Sequence, residues 1–106
     1  MQTFELAGLI SQHADLGKLY HEFLRVPSMS LGIYKLAAGA DDSQKPHNED
    51  EFYYVLEGRG LIRVGEEEQP VQSGSIVFVP AHAPHRFHSI TEDLTLLVFF
   101  APAETA

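Results

Sequence analysis

Four of the six histidines, His47, His82, His85 and His88, flank segments rich in aromatic and β-branched residues, and Glu51 follows His47 closely. His47 and Glu51 have the same parity, so in an unbroken strand both side chains would project from one face. His85 comes just after the turn Pro80-Ala81-His82-Ala83-Pro84, at the start of another extended segment. Two imidazoles and one carboxylate converging from neighbouring strands form a set that leaves coordination positions open. Such a set suits one divalent ion of Fe, Mn, Ni or Zn, and with no cysteine in the chain neither thiolate sites nor disulfides enter. His88 has the opposite parity to His85 and is expected to face away. His13 and His21 are remote in sequence, although a second subunit could bring one near a pocket mouth. Tyr53, Arg63 and Phe87 share the parity of the candidate ligands. An inward Arg63 could clamp a carboxylate, whereas an outward one would pair with nearby glutamates.

The segments that must position these groups are short and extended. Phe4, Leu6, Leu9 and Ile10 recur at helix-compatible spacing over residues 3–13, which predicts a short helical or irregular lead-in. After Gly17 the pattern changes. Leu19–Arg25 reads as a strand, Val26-Pro27-Ser28 as a turn and Met29–Leu36 as a second strand. A polar loop from Gly39 to Pro46 leads into Glu51–Leu56. Gly58-Arg59-Gly60 is expected to turn the chain into Leu61–Val64, and the stretch 65–69, with Glu66 to Glu68, reads as a solvated turn. Val71, Ile76–Val79, His85–Ile90 and Leu94–Phe100 complete the set. Many short strands broken by Gly, Pro and Asp predict an all-β sandwich or barrel in one domain, residues 1–106. Several strands are apolar on both faces, including the aromatics Phe52, Tyr53, Phe78 and Phe100. One face can line the interior, and the other calls for a cover by the N-terminal segment or by a second subunit, the latter giving the expectation of a homodimer.

At the candidate ligands the sequence resembles the cupin superfamily. The first cupin motif is a glycine, a short loop, H-x-H, three or four residues, a glutamate, six residues and a glycine. Here Gly39 begins the loop, His47 stands at the second histidine, Glu51 follows, and Gly58 closes the motif over 39–58. The second motif runs over 74–89, with Gly74, Pro80, His82 in the place of a glycine, His85 as the histidine and Ser89 for the family's asparagine. The two motifs cover about half the chain, and the spacing between Gly58 and Gly74 matches small prokaryotic cupins. The resemblance implies a double-stranded β-helix, or jelly-roll barrel, holding a metal through His47, Glu51 and His85. One departure concerns the family's first histidine, replaced here by Lys45, whose ammonium has no lone pair to offer. Gln44 is the candidate for the vacated position, its amide oxygen able to reach inward if the segment before Pro46 is bulged. Lys45, His82 or water are the alternatives.

The formal charge of −8, with clusters at Asp41-Asp42, Glu49 to Glu51 and Glu66 to Glu68, repels phosphate backbones and anionic lipid. Nucleic acid and membrane partners are therefore not expected. The start of the chain lacks the basic stretch and apolar core of a secretory signal, so a cytoplasmic location is the expectation. The resemblance implies a protein that binds or acts on a small oxygen-bearing molecule, with dioxygenase and isomerase activities among those of the family. The competing reading is a non-catalytic ligand-binding module or a metal-free cupin.

Overall fold

In a computed structural model the chain forms one short helix and six strands, and the structure describes residues 1–16 and 19–105, the side chains of Asp15 and Leu16 aside. Helix α1 spans Leu6–Leu16, the strands are β1 (Tyr20–Val26), β2 (Met29–Leu36), β3 (Asp50–Val64), β4 (Glu67–Gln72), β5 (Ile76–Val79) and β6 (His85–Ala101). Gly17, the expected break between helix and strands, lies outside the described residues. All pairings are antiparallel, in the order β1-β2-β6-β3-β4, with β5 on β3. Helix α1 caps the β1 side of this barrel, burying Leu9 and His13, and the His13 ring bonds the Leu19 carbonyl at 2.6 Å. The all-β barrel with a helical lead-in agrees with the sequence pattern.

The expected turn at Gly58-Arg59-Gly60 is not a turn. β3 runs straight through it, paired along its length with β6, and the same continuity joins the two segments expected over 85–100. The glycines instead mark irregularities in register between Val55 and Leu61. Gly58, facing Asp93 and Leu94, has φ +102°, and Ser89, on the stretch of β6 that runs beside Gly60, has φ +49°. A bulge consumes residues without advancing the pairing, so the alternation of faces inverts on passing it. Upstream, Glu51, Tyr53 and Val55 point inward; downstream, Ile62 is the buried residue. In β6 the inward set likewise changes from His85 and Phe87 to Ile90, Leu94, Leu96 and Val98. Three successive register irregularities between β3 and β6 let the longest strands bend together and close the barrel around Tyr53, Phe87 and Leu96, each 0% exposed.

The inversion decides between the two readings of Arg63 in favour of the outward one. Counted from Glu51 it should point inward, but the bulge sends it to the surface, where its Nε donates to the Gly65 carbonyl at 3.1 Å. Glu66 alone of the acidic triplet lies in the turn. Glu67 and Glu68 belong to β4, opposite Val64 and Arg63, and all three are exposed.

Candidate metal centre

His47 lies in the loop before β3 rather than within it, so strand parity is not what aims it at Glu51. The loop is pinned instead. Asp42, only 5% exposed, accepts hydrogen bonds from the Tyr34 hydroxyl (2.8 Å), the Gln44 amide (2.8 Å) and the Phe87 N–H (2.9 Å). The His47 carbonyl accepts the His82 N–H at 2.7 Å, tying this loop to the turn that precedes His85. His82 supplies that donor from a left-handed conformation, φ +68°, with its side chain exposed, and Lys45 is exposed as well.

The ligand atoms of His47, Glu51 and His85 all lie within 4.8 Å of one another. His85 Nε2 stands 3.1 Å and His47 Nε2 3.7 Å from Glu51 Oε1, and the two imidazole rings are 5.3 Å apart. Glu51 is 2% exposed. Both of its carboxylate oxygens and His85 Nε2 are buried without a hydrogen-bond partner among the described residues. Buried polar atoms are nearly always satisfied, and an ionised carboxylate without partners is the costliest exception. The donor set therefore fits a cation: three ligand atoms lie together inside the barrel, His47 Nε2 becoming one once it sheds the proton it gives to Gln44.

The distal nitrogens are already engaged. His85 Nδ1 lies 2.9 Å from the Ala83 carbonyl, an acceptor, which assigns the proton to Nδ1 and leaves Nε2 as the lone pair. His47 Nδ1 faces Glu104 Oε2 at 3.2 Å. Its pKa is raised, chiefly by that bond to Glu104, with burial opposing and the Glu51 charge assisting. For His85, burial pushes the pKa down, but the Glu51 carboxylate and the Ala83 carbonyl outweigh it and leave the value above the ordinary one. Protons and a cation compete for the same acceptors.

Gln44 is the fourth expected residue, and its amide can be oriented from its partners. The Nε2 donates to Asp42, while the oxygen accepts from the Tyr53 hydroxyl at 3.1 Å and from His47 Nε2 at 3.2 Å. Burial holds the Tyr53 hydroxyl well above its usual pKa, so it remains a donor. An inner chamber of about 190 Å³ adjoins the cluster, bordered by Tyr20, Tyr34, Gln44, His47, Glu51 and Phe100 among others. Tyr20 reaches it from β1 because Gly32 has no side chain: a Cβ there would come 2.3 Å from the phenol ring. The Tyr20 hydroxyl is buried without a partner, and burial raises its pKa.

The other histidines stand apart. His88 turns outward to Ser89 and Glu68, and His13 sits under α1. His21 borders an outer groove that also includes His47 and Glu104, within one chain. Asp42 and Glu104 are the residues that sequence reasoning missed. Asp42 sits in an acidic pair within a polar loop, and no periodicity marks Glu104, which follows the last strand.

The comparisons bear on this arrangement directly. The sequence model of the family described as "Cupin domain" matches residues 32–100, which hold His47, Glu51 and His85. The chain is 49% identical over 105 residues to the uncharacterized protein SCO3923 of Streptomyces coelicolor, covering 99% of this chain and 100% of that one. It is 30% identical to the structure of TT1209 from Thermus thermophilus, with a TM-score of 0.73 over 97% of this chain and 99% of that chain. The fold is also similar to the DMSP lyase DddQ of Ruegeria pomeroyi, at 20% identity and a TM-score of 0.70, covering 83% of this chain and 49% of the lyase. With the family match across most of the barrel and a relative aligned along nearly its whole length, the chain belongs to the cupin domain family.

Proposed function

We propose that this protein binds one divalent ion, of Fe, Mn, Ni or Zn, through His47, Glu51, His85 and the amide oxygen of Gln44, and that it binds or acts on a small oxygen-bearing molecule beside that ion. The observation that carries the reading is the buried, unpartnered Glu51 carboxylate facing two imidazole nitrogens whose far sides are already engaged. Such an ion supplies Lewis-acid polarisation of a carbonyl or hydroxyl oxygen, and with iron one-electron chemistry as well. The chain's own residues supply the rest. Glu51 contributes the one anionic ligand, Asp42 holds the Gln44 amide, and the chamber of about 190 Å³ gives a small ligand room beside them. The unpartnered Tyr20 hydroxyl is available to donate to an oxygen of that ligand, against an aromatic wall of Tyr34 and Phe100.

Elemental analysis of protein purified without a polyhistidine tag tests the reading. Close to one Fe, Mn, Ni or Zn per chain is expected, lost in His85→Ala. The affinity should fall as pH is lowered through the raised histidine values, since both rings must shed a proton to coordinate. Absence of metal after aerobic and anaerobic preparation alike would overturn it.

The same proposal includes a homodimer working in the cytoplasm. Ile76 and Phe78 on β5 are 65% and 62% exposed, and Tyr54 lies opposite Ile76 on β3, forming one apolar surface. No described helix is long and apolar enough to cross a membrane. Light scattering should report twice the chain mass, and Phe78→Glu should halve it; a strictly monomeric mass at micromolar concentration would remove the dimer.

A further inference from the structure

We propose that Glu104 is a positioning residue of the metal centre, its carboxylate accepting the Nδ1–H of His47 and so aiming the Nε2 lone pair at Glu51 and His85. The inference rests on the metal reading above and adds to it a residue that lies in neither motif. A ligating imidazole must be held against rotation, and metal-binding histidines almost always give their second N–H to a carboxylate or carbonyl. His85 finds its acceptor two residues away, in the turn that begins its own strand. His47 sits in a loop with no ladder to fix it, and the carboxylate at its Nδ1 is Glu104 Oε2, 3.2 Å away. The other side of the ring packs edge-on against Phe100, centroids 4.9 Å apart, so the ring is gripped between an apolar wall and an acceptor.

The segment that delivers Glu104 is fastened on both sides. Ala103 N donates to the Pro27 carbonyl at 3.3 Å, and Glu104 N donates to Ser30 Oγ at 2.9 Å, from a serine that is 0% exposed. Arg25 donates to the Glu104 carbonyl at 2.7 Å. Thr105 gives both its N–H (3.2 Å) and its hydroxyl (2.7 Å) to Glu49 Oε2, and Glu49 is only 3% exposed. Burying that carboxylate is costly. The cost makes sense if residues 103–105 must stay in place, and what they hold in place is Glu104 against His47. The side chains of the pair are 27% and 17% exposed, so water does not freely replace the bond.

Calorimetric titration of the metal-free full chain with Zn(II) tests this. Glu104→Ala should raise the dissociation constant about 10–100-fold. Glu104→Gln, whose amide oxygen can still accept from Nδ1, should stay within a few-fold of the wild type. Coupling is reciprocal, so Zn(II) should also slow hydrogen exchange at the Glu104 and Thr105 amides of the wild type. A purely structural tail would not respond in this way. Glu104→Ala that binds Zn(II) within twofold of the wild type overturns the inference. Should Glu104→Ala fail to fold, the wild-type exchange decides, and unchanged rates at Glu104 and Thr105 on adding Zn(II) overturn it. A wild-type chain that takes up neither Zn(II) nor Mn(II), Fe(II) or Ni(II) overturns the metal reading itself, a result distinct from the other two.

Discussion

Glu51→Gln should abolish tight metal binding while the barrel stays folded. The substitution keeps the shape of the side chain and removes the one negative charge that faces both imidazoles. Loss of an outer partner to a ligand costs about 10–100-fold in affinity, so loss of the anionic ligand itself should exceed ~100-fold. Folding has no comparable stake in the carboxylate, because neither oxygen makes a hydrogen bond. Melting followed by circular dichroism should place metal-free Glu51→Gln within a few degrees of the metal-free wild type. Added metal should then separate them: a ligand at 100 times its dissociation constant stabilises by about 2.7 kcal/mol, and only the wild type should gain it. A Glu51→Gln protein that unfolds yet keeps its metal would contradict this account of the site.

Gly58→Val should produce the opposite pattern, a loss of fold rather than of a ligand. A Cβ at this position would lie 2.3 Å from the Asp93 carbonyl oxygen and 2.8 Å from Leu94 Cα. These are backbone atoms of the facing strand, which cannot move aside like the end of a side chain. The φ of +102° adds its own cost for any residue with a Cβ. Strain of about 1–2 kcal/mol and overlap of about 1–3 kcal/mol together approach the lower end of a typical domain's whole stability. At roughly 4–8 °C per kcal/mol for a domain of this size, the melting temperature should fall by more than about 10 °C. Gly58→Val melting close to the wild type would show that β3 and β6 can separate at the bulge at little cost.

Local pattern carried most of the fold. The extended runs Met29–Leu36 and Glu51–Leu56, and the breaks at Pro27, Gly65 and Gly74, are short-range signals that tertiary structure left intact. The glycine pair at 58 and 60 was misread because glycine serves both turns and bulges, and only pairing across the strands distinguishes the two. The inward reading of Arg63 fails for the same reason, since a count by twos has no means of registering a skipped beat, and its outward alternative is the one observed. At the site, spacing picked out the His47, Glu51 and His85 cluster because the two motifs are short segments with fixed offsets. Asp42 and Glu104 were illegible. One is buried beside an exposed twin, Asp41, and the other reaches His47 only through the closed barrel, so neither leaves a periodic trace.

The register irregularities between Val55 and Leu61 also bear on where chains of this kind can change in length. Adding or deleting one residue between Val55 and Leu61 would rephase everything downstream in β3, exchanging Ile62 for Arg63 inside the barrel. The hairpin tip at Gly65 and Glu66 carries no such penalty, since its residues belong to no register. Relatives that diverge by insertion are therefore expected to lengthen at the tip and to keep the count through the bulge, even where its residues have drifted.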